Sequence, residues 1–104
     1  MKIRLDPMDK LVCGYIRKRA MSRVHGCERC GAWKKDYKQL QCSHFIGRAN
    51  KATRYDPDNL IGICAGCHIY FTSHPYEYTE WFKQYLGEEN FDLLLSRSRI
   101  IYPK

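Results

Sequence analysis

Four cysteines fall in two CxxC pairs, Cys27 with Cys30 and Cys64 with Cys67. Thiolates are preferred ligands of tetrahedral zinc, and one CxxC turn places two sulfurs on one edge of the tetrahedron. Two such turns complete it. Two chance pairs of buried thiols would also give this pattern. A redox CxxC would not need the second pair. Residues 31–63 lie between the pairs, a longer stretch than the ~15–20 residues of a plain zinc ribbon. Something larger is therefore folded between the knuckles. Cys13 and Cys42 fall outside the quartet. Cys13 reads as a small apolar helix residue, and Cys42 shares a strand face with His44.

The enclosed segment carries His44, a basic loop and Asn59, and His68 directly follows Cys67. That order suits metal-assisted phosphodiester hydrolysis. Imidazole can take a proton from water near neutral pH. A divalent cation stabilises the negative charge that develops on oxygen. Asn59 can hold a loop through its backbone hydrogen bonds. His68, fixed beside Cys67, can hold the cation. Each has a plainer reading: a half-buried strand residue for His44, an ordinary turn for Asn59, a neighbour or alternative zinc ligand for His68. Arg48, Lys51 and Arg54 recur every three residues beside the site and suit backbone phosphates. Arg17, Lys18 and Arg19 extend that track, or form a solvated face.

The elements must position these groups. Residues 6–21 read as a first helix, with Asp6 as N-cap, Pro7 in the first turn and Asp9 at N3. Met8, Leu11, Val12, Tyr15 and Ile16 recur at helical spacing and read as its buried stripe. Residues 39–46 read as a strand, 47–59 as a basic loop and 60–63 as a second strand. A helix opens at Cys64 and runs to about Thr72. Pro75 starts another that Gly87 ends, and a last helix covers 88–97. The expected fold class is α+β: a small ββα-metal core stapled by a four-cysteine zinc site, with flanking N- and C-terminal helices. Residues 1–104 read as a single domain, divided into 1–24, 25–73 and 74–104.

Net charge is +7 over 104 residues, and residues 1–55 carry 14 Lys/Arg against four acids, a sum of +10. An acidic partner such as nucleic acid would meet this half. The start, MKIRLDPMDK, has no apolar leader core, so a cytoplasmic chain with reduced thiols is expected. No apolar run nears membrane-span length, so no membrane partner is expected.

At these residues the chain resembles zinc-stapled HNH nucleases. It is most similar to the NinG/Rap group of phage recombination endonucleases, through DKLVCGYIRKR, CERCG, QCSHFIGRANKATRYDPDN, CAGCH and the tail YEYTEWFKQYLGEENFDLL. Phage recombination endonuclease VII is similar in spacing. The resemblance implies His44 as general base, Asn59 as the loop-orienting residue, His68 as ligand of a catalytic Mg or Mn, and the four cysteines on structural zinc. It also implies cleavage of branched or recombination-intermediate DNA and an origin in phage or prophage acting in a bacterial host cell. Branched DNA often needs two cuts, which makes a homodimer one candidate assembly. Many relatives place Asp or His just before the base, where this chain has Ser43; Thr72 replaces another ligand position. Cys42, Asp58 and His74 are candidate assistants. The competing reading is a non-catalytic zinc-containing nucleic-acid-binding module. A third is a structural zinc protein that binds proteins through Tyr76 or Tyr78.

Overall fold

A computed structural model describes residues 5–101; residues 1–4 of the expected N-terminal segment lie outside them. Helix α1 spans Pro7–Val24, strands β1 and β2 span Gln41–His44 and Leu60–Ile63, and α2, α3 and α4 span Ala65–Ser73, Pro75–Leu86 and Glu88–Ser98. Short 3-10 turns at Tyr37–Gln39 and Pro57–Asn59 precede the two strands. The class is α+β, as expected. No helix among the described residues is long and apolar enough to cross a membrane.

Helix α1 begins with a reciprocal capping box. The Asp9 backbone N–H donates to the Asp6 carboxylate at 2.9 Å, and the Asp6 N–H donates to the Asp9 carboxylate at 2.8 Å. The pair satisfies two amides that the first turn leaves without helical partners. His25 ends the helix in the left-handed region at φ 52°.

The strands pair antiparallel, with Cys42 opposite Gly62 and His44 opposite Leu60. Alternation puts those four on one face, and Gln41, Ser43, Ile61 and Ile63 on the other. Helix α1 packs on the first face. A Cβ on Gly62 would lie 2.8 Å from the Ala20 Cβ, so only glycine allows this approach. On the second face sit Phe71, Tyr78, Phe82, Phe91 and Leu94, and with Ile61 and Ile63 they form the core. Phe45 stacks on Phe82 at 4.5 Å between ring centroids. Gly87, at φ 91°, supplies the break between α3 and α4.

Two expectations are corrected. Of the stripe on α1 only Ile16 is fully buried and Val12 half-buried; Met8, Leu11 and Tyr15 are 49%, 70% and 57% exposed. The helix buries Ile16 together with Asp9 and Ala20. At 3.6 residues per turn those three share one side of the cylinder, and Met8, Leu11 and Tyr15 lie well away from it. Close approach to Gly62 selects the side with small Ala20, not the side richest in apolar atoms. The first strand is also shorter than 39–46. Leu40 ends a 3-10 turn, and Phe45 and Ile46 turn their amides to Asn59.

Candidate active site

The four knuckle cysteines converge. Their sulfurs all lie within 4.8 Å of one another, and Cys30 Sγ is 3.8 Å from Cys64 Sγ. A tetrahedral ion with ~2.3 Å bonds to sulfur requires about 3.8 Å between sulfurs, so the donor set and its spacing fit such an ion. The Cys30 and Cys67 backbone N–H groups point at Cys27 Sγ (3.4 Å) and Cys64 Sγ (3.5 Å). Arg29 Nη1 lies 3.6 Å from Cys67 Sγ. These donors favour thiolates.

The first knuckle is also tied to the hairpin. Glu28 N–H donates to Gly62 O at 3.0 Å, and Gly62 N–H donates to Glu28 Oε2 at 2.8 Å. Tyr85 Oη donates to Glu28 Oε1 at 2.8 Å. A Cβ on Gly26 would sit 2.0 Å from Ala32 O, so the chain can double back here only through glycine.

His44 stands at the end of β1. One ring nitrogen bonds the backbone of Arg54. Nε2 is buried and has no hydrogen-bond partner among the described residues, which leaves Nδ1 for the backbone bond. Burial, then the charge of Arg48, lowers the His44 pKa from 6.5 to about 4. His68, in the first turn of α2, has its pKa lowered by burial and then by Arg48. Its Nδ1 lies 2.6 Å from Gln41 Oε1. An amide oxygen only accepts, so Nδ1 carries the proton and Nε2 keeps its lone pair, with no hydrogen-bond partner among the described residues. His44 and His68 line one cavity of about 430 Å³, together with Cys42, Gly47 and Arg48.

Asn59 is fully buried. Its side-chain N–H groups donate to Ile46 O at 2.8 Å and Thr53 O at 3.1 Å, and its Oδ1 accepts from Ile46 N–H at 2.7 Å. These bonds close the base of the 47–59 loop. Asn50 donates to Ser98 O at 2.8 Å. Arg97 pairs with Asp56 (2.7 Å) and Asp58 (3.1 Å), so both carboxylates face α4.

The basic residues divide. Arg54, expected on the phosphate track, instead forms a two-pronged bond to the buried Asp9 at 2.6 and 3.0 Å. That pair ties the loop to α1, and the Arg54 backbone holds His44. Arg19, also expected there, donates to Pro57 O at 3.1 Å and Leu60 O at 2.7 Å. Arg48 Nε is buried without a hydrogen-bond partner among the described residues, 4.0 Å from Asp9. Lys51 is exposed. Arg17 and Lys18 lie over the Tyr37 ring at 5.2 and 5.0 Å. Ser43 is buried, with its hydroxyl 2.8 Å from Tyr78 Oη.

Gln41 and the Asp9–Arg54 pair were not legible as site residues. Gln41 opens the QCSHFIG segment, but its residue type announces no chemistry of its own. Asp9 reads completely as a helix cap, and nothing in the sequence announces its second partner.

Residues 27–70 match the family model described as HNH endonuclease. The match spans both knuckles, the hairpin and most of α2, which is the ββα unit described above. No match was found among curated proteins or solved structures.

Proposed function

We propose that this chain is a metal-dependent endonuclease of the HNH type that hydrolyses DNA phosphodiester bonds. The reading rests chiefly on His44: one ring nitrogen is fixed by backbone, and the other is buried without a partner among the described residues, beside the His68 cavity. The knuckle-to-knuckle match to the HNH family supports a nucleic-acid substrate and a divalent metal.

His44 accepts the proton of the attacking water at Nε2. Asn59 holds the loop that aims it. His68, oriented by Gln41, offers Nε2 to a Mg or Mn ion. A bound ion there stabilises the charge developing on the phosphate and leaving oxygen. Arg48 and Lys51 hold backbone phosphates, with Arg17 and Lys18 further along. Phosphate pairing with Arg48 would also offset one of the causes that depress the His44 pKa, second only to burial, moving it toward a useful base strength. Zinc on Cys27, Cys30, Cys64 and Cys67 is structural. The likeness to NinG/Rap endonucleases favours branched DNA and a phage or prophage origin in the bacterial cytoplasm, and branched DNA favours a homodimer making paired cuts.

A non-catalytic nucleic-acid-binding module is the second reading, and Ser43 favours it. This residue is buried against Tyr78 and offers the cation nothing. A cleavage assay on four-way, flap and linear DNA across a series of divalent cations separates the two. The expected result is Mg- or Mn-dependent nicking, lowered at least about a hundredfold by His44→Ala with metal content and fold retained. Salt-sensitive binding with no cutting under any cation would establish the second reading.

A further inference from the structure

The His44–His68 cavity does not end at the cleft. Cys42 and Arg48 also line an adjoining cavity of about 400 Å³ that reaches Lys10 and Arg17 on α1. Lys10 and Arg17 in turn line a third, of about 360 Å³, which reaches Lys18, Tyr15 and Tyr37. Through these shared walls the three lie side by side, in series along α1, as one groove-like track. Its positions on α1 advance from Cys13 and Arg17 through Lys10 and Lys18 to Leu11 and Tyr15, about halfway round the helix.

The walls alternate two chemistries. Arg48, Arg17, Lys10 and Lys18 supply positive charge. Asp9 is the one carboxylate among the described lining residues, and it is engaged by Arg54. Between the cations lie exposed Leu11 and Tyr15, part of the α1 stripe that takes no share in the core. Cations with interleaved aromatic and apolar surface suit a single strand, whose phosphates need charge and whose bases need a face to lie on. A duplex fits poorly. Its persistence length is ~150 base pairs, so following a turn round a cylinder only ~10 Å across would cost it bending energy that a single strand avoids.

We propose that the groove holds a single-stranded DNA segment running from the cleft around α1, with a base stacked on Tyr15. The substrate is then DNA with an unpaired strand next to the cut. This inference rests on the nuclease reading for its substrate, but its test does not require cutting.

The test uses the full-length His44→Ala protein without added divalent cation. Fluorescence anisotropy measures the affinity for labelled oligothymidylate and for a blunt duplex of the same length. Tyr15→Ala, added to that background, should lower the single-strand to duplex affinity ratio about tenfold. Lys10→Gln should reduce the salt slope for the single strand by about 0.7. Leu93→Ala removes an exposed apolar side chain on α4 and should leave the ratio unchanged. The proposal is overturned if Tyr15→Ala weakens both probes equally or neither. A wild-type protein that cuts DNA but shows no ratio change sinks the groove alone. A ratio change in a protein that cuts nothing retains the groove and removes the nuclease reading.

Discussion

At the scale of single residues, the His44 ring is pinned on one side and desolvated on the other. The folded ring titrates at about 4, while its ordinary value is 6.5. In the unfolded chain it takes up its proton near the ordinary value. Between those pH values the unfolded state binds the extra proton, so stability falls as pH drops through that window. NMR titration of the ring in the free protein should therefore give a midpoint near 4; one near 6.5 would mean a solvated ring. Gln41 acts one step further out. Gln41→Ala frees the His68 ring and should weaken Mn binding by about ten- to a hundredfold, which calorimetry reads directly. Unchanged affinity would remove Gln41 from the site. The sequence makes His44, Asn59 and His68 visible because their residue types carry chemistry in a recognisable order. It hides Gln41, whose contribution depends on a contact across the β1–α2 junction that no spacing encodes.

At the scale of elements, backbone turn bonds such as Asn50 N–H to Gly47 O (3.0 Å) and Asp56 N–H to Thr53 O (3.1 Å) shape the 47–59 loop from within, and side chains anchor it to its surroundings. Asn59 closes its base, Arg97 and Ser98 hold its α4 side, and Asp9 holds Arg54 on its α1 side. The Arg54 hydrogen bond, more than burial can oppose, keeps the Asp9 carboxyl at about 2, below its ordinary 3.8. A depressed carboxylate contributes stability above its unfolded pKa, and that stability is lost as pH falls from 3.8 toward 2. Arg54→Met leaves the buried Asp9 carboxylate with only the Asp6 N–H and the more distant Arg48. It should cost about 3 kcal/mol in denaturant unfolding and flatten the acid loss. A cost near zero would show that Asp9 finds water instead. The helices were legible because capping residues and glycines mark their ends. The packing side of α1 was not, because Gly62 and Ala20 choose it by close approach, and periodicity counts apolar atoms without knowing what they face.

At the scale of the whole molecule, the quartet joins parts that are distant in sequence. The first knuckle follows α1, and the second opens α2. A chain of this size buries a limited core, so an ion shared by the quartet would carry a large part of its stability. Removing the metal with a chelator should lower the thermal midpoint by about 10 °C or more; circular dichroism with and without restored zinc is the measurement. An unchanged midpoint would mean that the aromatic core suffices alone.

A CxxC turn is commonly regarded as a portable cassette, two ligands with interchangeable spacers. Glu28 occupies one of those spacer positions, yet it accepts from Gly62 N–H and from Tyr85. The first knuckle is thus keyed to one particular hairpin and one particular helix. Transplanting CERC into another scaffold would leave a carboxylate without its receptors, and a foreign knuckle placed here would leave the Gly62 amide without its acceptor. The spacer residues of this motif are inherited with the fold.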